Sequence, residues 1–289
     1  MFYLGIDIGG TSVKVAARNG DSVVLTGQSP FYFKPGRIEL IKSIRAAMPR
    51  QIEAVEAIGI CVPGLLDSGG CKVTFSVNVP GLNGLVLQEL IDDALGLAVS
   101  REPSVLNDAI AAGQELYHQR ALGGRLLVLA LGAGVGAAVL DEGIPLRVEG
   151  ESPGHLGQID VSIDNEPVVG SDGGIGGLEG YIGAHALARK YGDNVSAALE
   201  AMRGNEPPLR ALVRAIRIAH AIYRPQHVIL CGGIGIRLRR LVPTLRSMIE
   251  NGLTSLARPG WTFETGNHDF HAAMGAAMVA ESQAATTTR

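Results

Sequence analysis

Two short glycine-rich turns carry the first sign of chemistry in this chain. The apolar run Phe2–Ile6 ends on Asp7 and is followed by Gly9-Gly10-Thr11 and a second apolar run, Val13–Ala17. The same plan recurs as Arg125–Leu131, Gly132-Ala133-Gly134 and Val135–Leu140. Leu4–Gly20 and Leu129–Gly143 share a strand, a glycine turn, a strand and an Asn/Asp-containing turn with glycine, about 125 residues apart, which predicts a duplicated α/β domain. Bare backbone N–H groups in such turns can reach phosphate oxygens, and two turns facing one another can clamp a polyphosphate. Taken singly, either turn reads first as an ordinary tight hairpin. Neither matches the P-loop pattern, and no G-x-G-x-x-G follows a strand and opens a helix as dinucleotide binding requires.

Alternating strands and helices must position these turns, and the periodicity supplies them. Strands are predicted at Val23–Leu25, Ala54–Cys61, Leu97–Ser100 and His227–Cys231. A stripe of Ile38, Ile41, Ile44 and Met48 predicts a helix, and Leu85–Leu95 another. Asn107 stands where it can cap a helix running to His118. Further helices are expected over about Gly176–Lys190, Asn194–Met202, Leu209–Ile222, Arg237–Asn251 and His271–Ser282.

Composition narrows the class. A chain of 289 residues predicts roughly two domains. With 46% hydrophobic and 18% charged residues it is not a disordered chain. A net charge of −3 gives no bulk basic surface for nucleic acid. The 39 glycines imply many tight turns and close backbone approaches. Cys61, Cys71 and Cys231 form neither a disulfide framework nor a close metal pair. Leu126–Leu140, the longest uncharged apolar stretch, is too short and glycine-rich to span a membrane, and the N-terminus lacks a leader pattern. A cytoplasmic protein without membrane or nucleic-acid partners is expected.

Seven segments, in order, resemble the ROK family of sugar kinases and related repressors, within the hexokinase/actin-like ATPase superfamily. DIGGTSVK (7–14) is similar to its first phosphate motif, and ICVPGLLD (60–67) to its Pro-Gly segment. NVPGLNG (78–84) resembles its sugar-proximal loop, with Leu82 in place of a Trp. VLNDAIAAGQEL (105–116) resembles the Asn-Asp segment that carries the catalytic base. ALGAGVGAAVLDEGIPLRVEG (130–150) resembles the second phosphate motif, RPQHVILCGGI (224–234) the adenosine-side turn, and MGAAMVA (274–280) the C-terminal helix. The resemblance implies two ribonuclease-H-like domains with an interdomain cleft, residues 1–106 completed by about 272–289, and residues 107–271. It also suggests a homodimer.

The resemblance further implies a phosphotransferase using ATP and Mg²⁺, acting on the 6-hydroxyl of a hexose or amino sugar. A sugar hydroxyl is a poor nucleophile at neutral pH, so it needs a base, and the transferred phosphoryl needs charge neutralisation. Asp108 matches the base and Asn107 its sugar-orienting neighbour; the competing reading is that either merely caps the helix. Asp7 would hold Mg²⁺ through water, with Gly9, Gly10, Thr11 and Lys14 at the phosphates; Lys14 reads otherwise as a solvated edge charge. Gly132, Ala133 and Gly134 would form the second phosphate contact, Gly232 and Gly233 the adenosine side. Gly64, Asn83, Glu151, His155, Gln158 and Glu179 would meet the sugar.

This sequence also departs from the family pattern. Ala133 replaces a Thr hydroxyl. The family segment Gly-Glu-Leu-Gly-His reads GHLGQ (154–158), so His155 replaces a sugar-binding Glu and Gln158 a zinc-ligating His; a second register pairs Glu151 and His155 with that Glu and His. The three zinc cysteines become Gly170, Asp172 and Gly177, ahead of a retained Leu178-Glu179. No zinc site is expected from those positions. The repressors carry a helix-turn-helix ahead of the first phosphate motif, and here that motif's strand begins almost at Met1. The alternatives are therefore a kinase, with ATP or polyphosphate as donor, or a catalytically silent sugar- or nucleotide-binding protein.

Overall fold

The structure is a computed structural model, and it describes residues 2–20, 22–52, 54–96, 102–147, 154–163, 168–170, 173–255 and 257–287. Its elements run β1 (Phe2–Ile8), β2 (Val13–Asn19), β3 (Ser22–Gln28), α1 (Arg37–Ala47), β4 (Val55–Val62), β5 (Leu65–Leu66), β6 (Val73–Phe75), α2 (Leu87–Leu95), β7 (Ser104–Asn107) and α3 (Asp108–Gln119). There follow β8 (Arg125–Leu131), β9 (Val135–Asp141), β10 (Ile144–Pro145), α4 (Leu178–Ile182), α5 (Ala184–Tyr191), α6 (Val195–Ala201) and α7 (Pro207–Tyr223). The chain closes with β11 (His227–Cys231), α8 (Gly232–Arg237), α9 (Val242–Glu250), β12 (Thr262–Thr265) and α10 (His271–Thr287). None of the described helices is long and apolar enough to cross a membrane.

The fold is α/β, on the plan of the actin-like ATPases, and it divides into two units. Unit 1 comprises Met1–Gln119, Arg147–Ser152 and Phe270–Arg289; unit 2 comprises Arg120–Leu146 and Pro153–Asp269. Each holds a five-stranded sheet, ordered β3-β2-β1-β4-β7 in unit 1 and β10-β9-β8-β11-β12 in unit 2. In both, the first three strands pair antiparallel and the rest pair parallel. The similarity of the two glycine turns is thus one corner of a repeated sheet. β1, β4, β8 and β11 read as nearly unbroken apolar runs because central parallel strands are covered on both faces. Their side chains fill two cores, one around Leu4, Ile6, Ile58 and Ile60, the other around Leu127, Leu129, Ile216 and Phe263.

The division falls after Gln119, where the sequence reading put it after Leu106. The reason is α3, which packs on α10 within unit 1. A Cβ on Gly275 of α10 would stand 1.9 Å from the Ala111 oxygen of α3, and His271 Nδ1 lies 2.6 Å from Glu115 Oε2 in a buried pair. The same helix lies so close on the sheet that a Cβ at Gly59 would come within 2.1 Å of the Ala276 oxygen.

Several elements differ from expectation. On α1 the buried face is Leu40, Ile44 and Ala47, and Ile38 is 71% exposed, so the helix is rotated from the predicted stripe. The helix predicted over 176–190 is broken at Gly183, whose extended backbone (φ −61°, ψ 150°) separates α4 from α5. The helix predicted from Arg237 begins at Gly232, directly after β11, and restarts at Val242-Pro243. β12 was not anticipated, and the strand expected at 97–100 lies outside the described residues.

One core residue sets an acid limit on stability. His220 of α7 is 1% exposed, edge-on to Trp261 with ring centroids 4.5 Å apart, and neither ring nitrogen has a hydrogen-bond partner among the described residues. Burial lowers its pKa from 6.5 to about 4. Between those values the unfolded chain binds the proton and the folded chain does not. Stability is therefore complete above pH 6.5 and lost as pH falls towards 4. Urea unfolding at pH 7 and pH 4.5 should show an acid loss on the order of 2 kcal/mol that His220→Leu lacks. Identical losses in the two proteins would count against this assignment.

Candidate active site

In unit 1, strand pairing assembles the first group of residues. Asp7, near the end of β1, lies opposite Lys14 on β2 and Cys61 on β4, and Val62 lies opposite Asn107 on β7. These are the carboxyl ends of the parallel strands, where open α/β sheets bind ligands. Asp7 is 7% exposed. Asp108 opens α3 and is half-buried, and burial raises its pKa above the ordinary 3.8. A hydrogen bond from the Ala109 N–H and the nearby Lys14 cation pull the other way. Lys14 is half-buried on a strand that has neighbours on both sides, so it is not an edge charge. The Cys61 thiol is held well above its usual range by burial and by the charges of Asp7 and Asp108, so both carboxylates act on one buried point.

Asn107 does cap α3. Its Oδ1 accepts from the N–H groups of Ala109 (3.0 Å) and Ile110 (3.4 Å). Asp108 in turn accepts from the Ala109 N–H at 2.8 Å through Oδ1, which fixes its side chain at the helix start. The two readings of this pair are compatible: the asparagine starts the helix, and the helix holds the aspartate.

The loops of unit 1 have structural work of their own. In the first glycine turn the Gly9 N–H donates to the Ser12 oxygen at 3.0 Å. Asn83 is exposed and its Oδ1 accepts from the Ser76 N–H at 2.6 Å, bracing the 76–84 loop. Leu82 is fully buried in the core, so the residue standing in place of the family's Trp offers no surface to a ligand. Gly64 has φ +109°, and a Cβ there would meet the Phe75 oxygen at 2.2 Å.

In unit 2 the second glycine turn is the meeting point of three segments. The Gly132 N–H donates to the Gly134 oxygen at 3.0 Å, and the Gly132 oxygen accepts from Ala184, the first residue of α5, at 2.8 Å. That bond requires the break at Gly183. Glu179, in the first turn of α4, accepts from the Val135 N–H at 2.9 Å. Gly157 lies against the Val135 oxygen, which a Cβ would approach to 2.4 Å. His155 and Gln158 flank this contact and are both exposed. Ala133 brings backbone groups alone. Gly232 (φ +76°) and Gly233 open α8, close behind the Leu131 oxygen. The sequence reading did not foresee Glu179 tied to the turn. Glu179→Ala should cost about 2 kcal/mol in urea unfolding, and Glu179→Gln, which keeps an acceptor, well under half of that.

The donor sets decide which metals these residues fit. Asp7 supplies a buried hard oxygen beside a glycine turn, which suits Mg²⁺, an ion that takes one or two carboxylates and keeps its waters. The zinc positions do not fit their metal: Gly170 and Gly177 have no ligating side chain, and Gln158 offers an amide. Main-chain bonds close this stretch instead, Val161 N–H to Gly176 O at 2.9 Å and Gly176 N–H to Val168 O at 3.0 Å. Glu151 and Asp172 lie outside the described residues.

Comparison with known proteins agrees with this architecture. The chain is 22% identical over 282 residues to a kanosamine kinase of Amycolatopsis mediterranei, covering 90% of this chain and 88% of that one. It is 27% identical over 207 residues to an N-acetyl-D-glucosamine kinase of Erwinia tasmaniensis, covering 65% and 64%. Its fold matches that of a ROK family glucokinase from Streptomyces griseus, solved with glucose and AMPPNP, with a TM-score of 0.75 at 20% identity over 98% of this chain and 100% of that one. The family model for the ROK family matches residues 3–283. The repeated sheet, the two glycine turns and this match over nearly the whole length lead to one assignment: the chain belongs to the ROK family.

Proposed function

We propose that the protein is an ATP-dependent sugar kinase that moves the γ-phosphoryl group to the 6-hydroxyl of a hexose or amino sugar. The observation that carries this reading is Asp108, a half-buried carboxylate with a raised pKa at the start of α3, beside Lys14 and within electrostatic reach of the thiol that also feels Asp7. A carboxylate in partly dry surroundings is a stronger base than one in water. Asp108 takes the proton from the sugar hydroxyl as its oxygen attacks the γ-phosphorus in line and the bond to the ADP oxygen breaks. Asn107, anchored through Oδ1, presents its amide NH₂ to a neighbouring sugar hydroxyl. In unit 1 the phosphate contacts are the N–H groups of Gly10 and Thr11, with Lys14, while the Gly9 N–H closes the turn on the Ser12 oxygen. In unit 2 the second glycine turn offers the N–H groups of Ala133 and Gly134, the Gly132 N–H being taken by the Gly134 oxygen, and Gly232 and Gly233 flank the adenosine. Asp7 would hold Mg²⁺ through water; when bound, the ion supplies positive charge to the phosphate oxygens. On the family pattern the sugar contacts are Gly64 and Asn83 in unit 1 and His155, Gln158 and Glu179 in unit 2, with His155 altering hydrogen-bond direction and charge relative to the family's Glu.

The relatives named above act on kanosamine, N-acetyl-D-glucosamine and glucose, which supports a hexose or amino sugar as acceptor. A sugar- or nucleotide-binding protein without turnover is the second reading, favoured by Ala133, His155 and Gln158. The test is ADP release with Mg²⁺ and ATP across hexoses, amino sugars and N-acetyl sugars, with a polyphosphate arm read as sugar phosphate formed. Turnover that requires one sugar class supports the kinase and names its acceptor. Binding of nucleotide or sugar with no turnover in either arm replaces it with the second reading.

A further inference from the structure

Between β3 and α1 the segment Ser29–Gly36 is fastened to both ligand loops proposed for unit 1. Ser29 exchanges two hydrogen bonds with Val13: its N–H donates to the Val13 oxygen at 2.9 Å, and its Oγ accepts from the Val13 N–H at 3.0 Å. Tyr32 then spans the first glycine turn. Its N–H donates to the Thr11 oxygen at 2.9 Å and its hydroxyl donates to the Gly9 oxygen at 2.6 Å. Further on, the Pro35 oxygen accepts from the Gly81 N–H at 3.1 Å, in the Pro80–Leu82 turn of the 78–84 loop. Tyr32 is 8% exposed, while its neighbours Phe31 and Phe33 are 80% and 68% exposed. One aromatic of three is thus turned inward. Burial, with the charges of Asp7 and Glu39, holds its hydroxyl far above the ordinary 10.0, so it remains a donor.

The stereochemistry of the peptide bond gives these contacts a direction. In a trans peptide the C=O of one residue and the N–H of the next point to opposite sides of the chain. Tying the Gly9 oxygen to Tyr32 turns the Gly10 N–H away from the tyrosine, and tying the Thr11 oxygen does the same for the Ser12 N–H. A turn built on two glycines has many other conformations available, and its N–H groups bind an anion well only if their orientation is set beforehand. We propose that Tyr32 is a positioning residue for the nucleotide phosphates: it fixes the Gly9–Gly10 and Thr11–Ser12 peptide planes so that their N–H groups converge on phosphate oxygens. This rests on the kinase reading for the identity of the anion.

The test compares wild type with Tyr32→Phe, which keeps the ring and removes only the hydroxyl. Calorimetric titration uses AMPPNP with Mg²⁺ as the phosphate-bearing probe and adenosine as the phosphate-free one. Tyr32→Phe should bind AMPPNP about tenfold more weakly with unchanged adenosine affinity, the effect of one lost hydrogen bond. In turnover kcat should fall by a similar factor with the sugar KM unchanged. Equal AMPPNP affinity in the two proteins, or equal weakening of AMPPNP and adenosine, overturns the proposal. Gly81→Ala is the second variant, since its Cβ would stand 2.3 Å from the Pro35 oxygen and displace the segment from its far end. It should weaken AMPPNP about threefold and spare adenosine; wild-type AMPPNP affinity in both variants overturns the proposal. A wild type that binds AMPPNP yet phosphorylates no sugar defeats the kinase reading alone, because the binding comparison still judges Tyr32. A wild type that binds no AMPPNP defeats both.

Discussion

Asp108→Asn is expected to lower kcat by about 10³-fold or more while leaving sugar binding intact and the fold as stable as before or more so. The activity loss follows from the base: an amide cannot take the hydroxyl proton, and general-base contributions run to about 10²–10⁴-fold. The stability gain follows from linkage. Burial raises the Asp108 pKa above 3.8, so the folded state binds its proton more tightly than the unfolded chain does. Such a group contributes its stability below the unfolded pKa and loses it as pH rises through the folded value. At neutral pH the charged carboxylate is therefore a cost to folding that asparagine removes. Asparagine also retains an oxygen for the Ala109 N–H, so the helix start survives. A capping role alone predicts something else, a variant with normal turnover. The same raised pKa places the acid limb of the wild-type kcat/KM profile above the range of an ordinary aspartate, with activity falling as pH drops through it. Sugar-dependent ADP release, sugar titration and thermal unfolding of the two proteins decide between these outcomes. Normal turnover in Asp108→Asn would remove the base from the mechanism proposed above.

The parts legible in the sequence were those written in local pattern. The strands around both glycine turns, the duplication and the start of α3 at Asn107-Asp108 follow from apolar periodicity, from glycine and from capping chemistry, all of which act over a few residues. Tertiary distance hid the rest. Nothing near Gly183 announces a helix break, because its cause is the Gly132 oxygen that Ala184 bonds. The rotation of α1 away from Ile38 depends on what the helix packs against. Glu179 reads as a charge at a helix start until the Val135 N–H is seen beside it, and Tyr32 reads as one aromatic among three until its hydroxyl is found on Gly9. Leu82 shows the converse: the residue that stands where the family pattern has a Trp is, in the structure, a core side chain.

Asp7→Asn should produce the second large effect, a fall in kcat/KM of about 10²–10³-fold that high Mg²⁺ partly restores. Three observations place a negative charge at the end of β1 as a fixed part of unit 1. Asp7 is 7% exposed; it lies in register with Lys14 on one side and Cys61 on the other; and its charge raises both the Tyr32 hydroxyl and the Cys61 thiol. A buried carboxylate is costly to maintain unless something compensates it. A divalent ion held through water would offset part of that cost. Removing the charge weakens the attraction for Mg²⁺ while keeping the side chain's shape, so the Mg²⁺ concentration for half-maximal rate should rise about tenfold. The sugar KM should stay near the wild-type value, since Asn107 and the 78–84 loop are not altered. A Mg²⁺ titration of ADP release in both proteins reads this directly. An unchanged Mg²⁺ requirement with a lowered kcat would mean that Asp7 acts on Lys14 and the glycine turn, without the ion. In that case Lys14→Met, which removes the cation in register with Asp7, should lower the rate as Asp7→Asn does and leave the Mg²⁺ requirement unchanged as well.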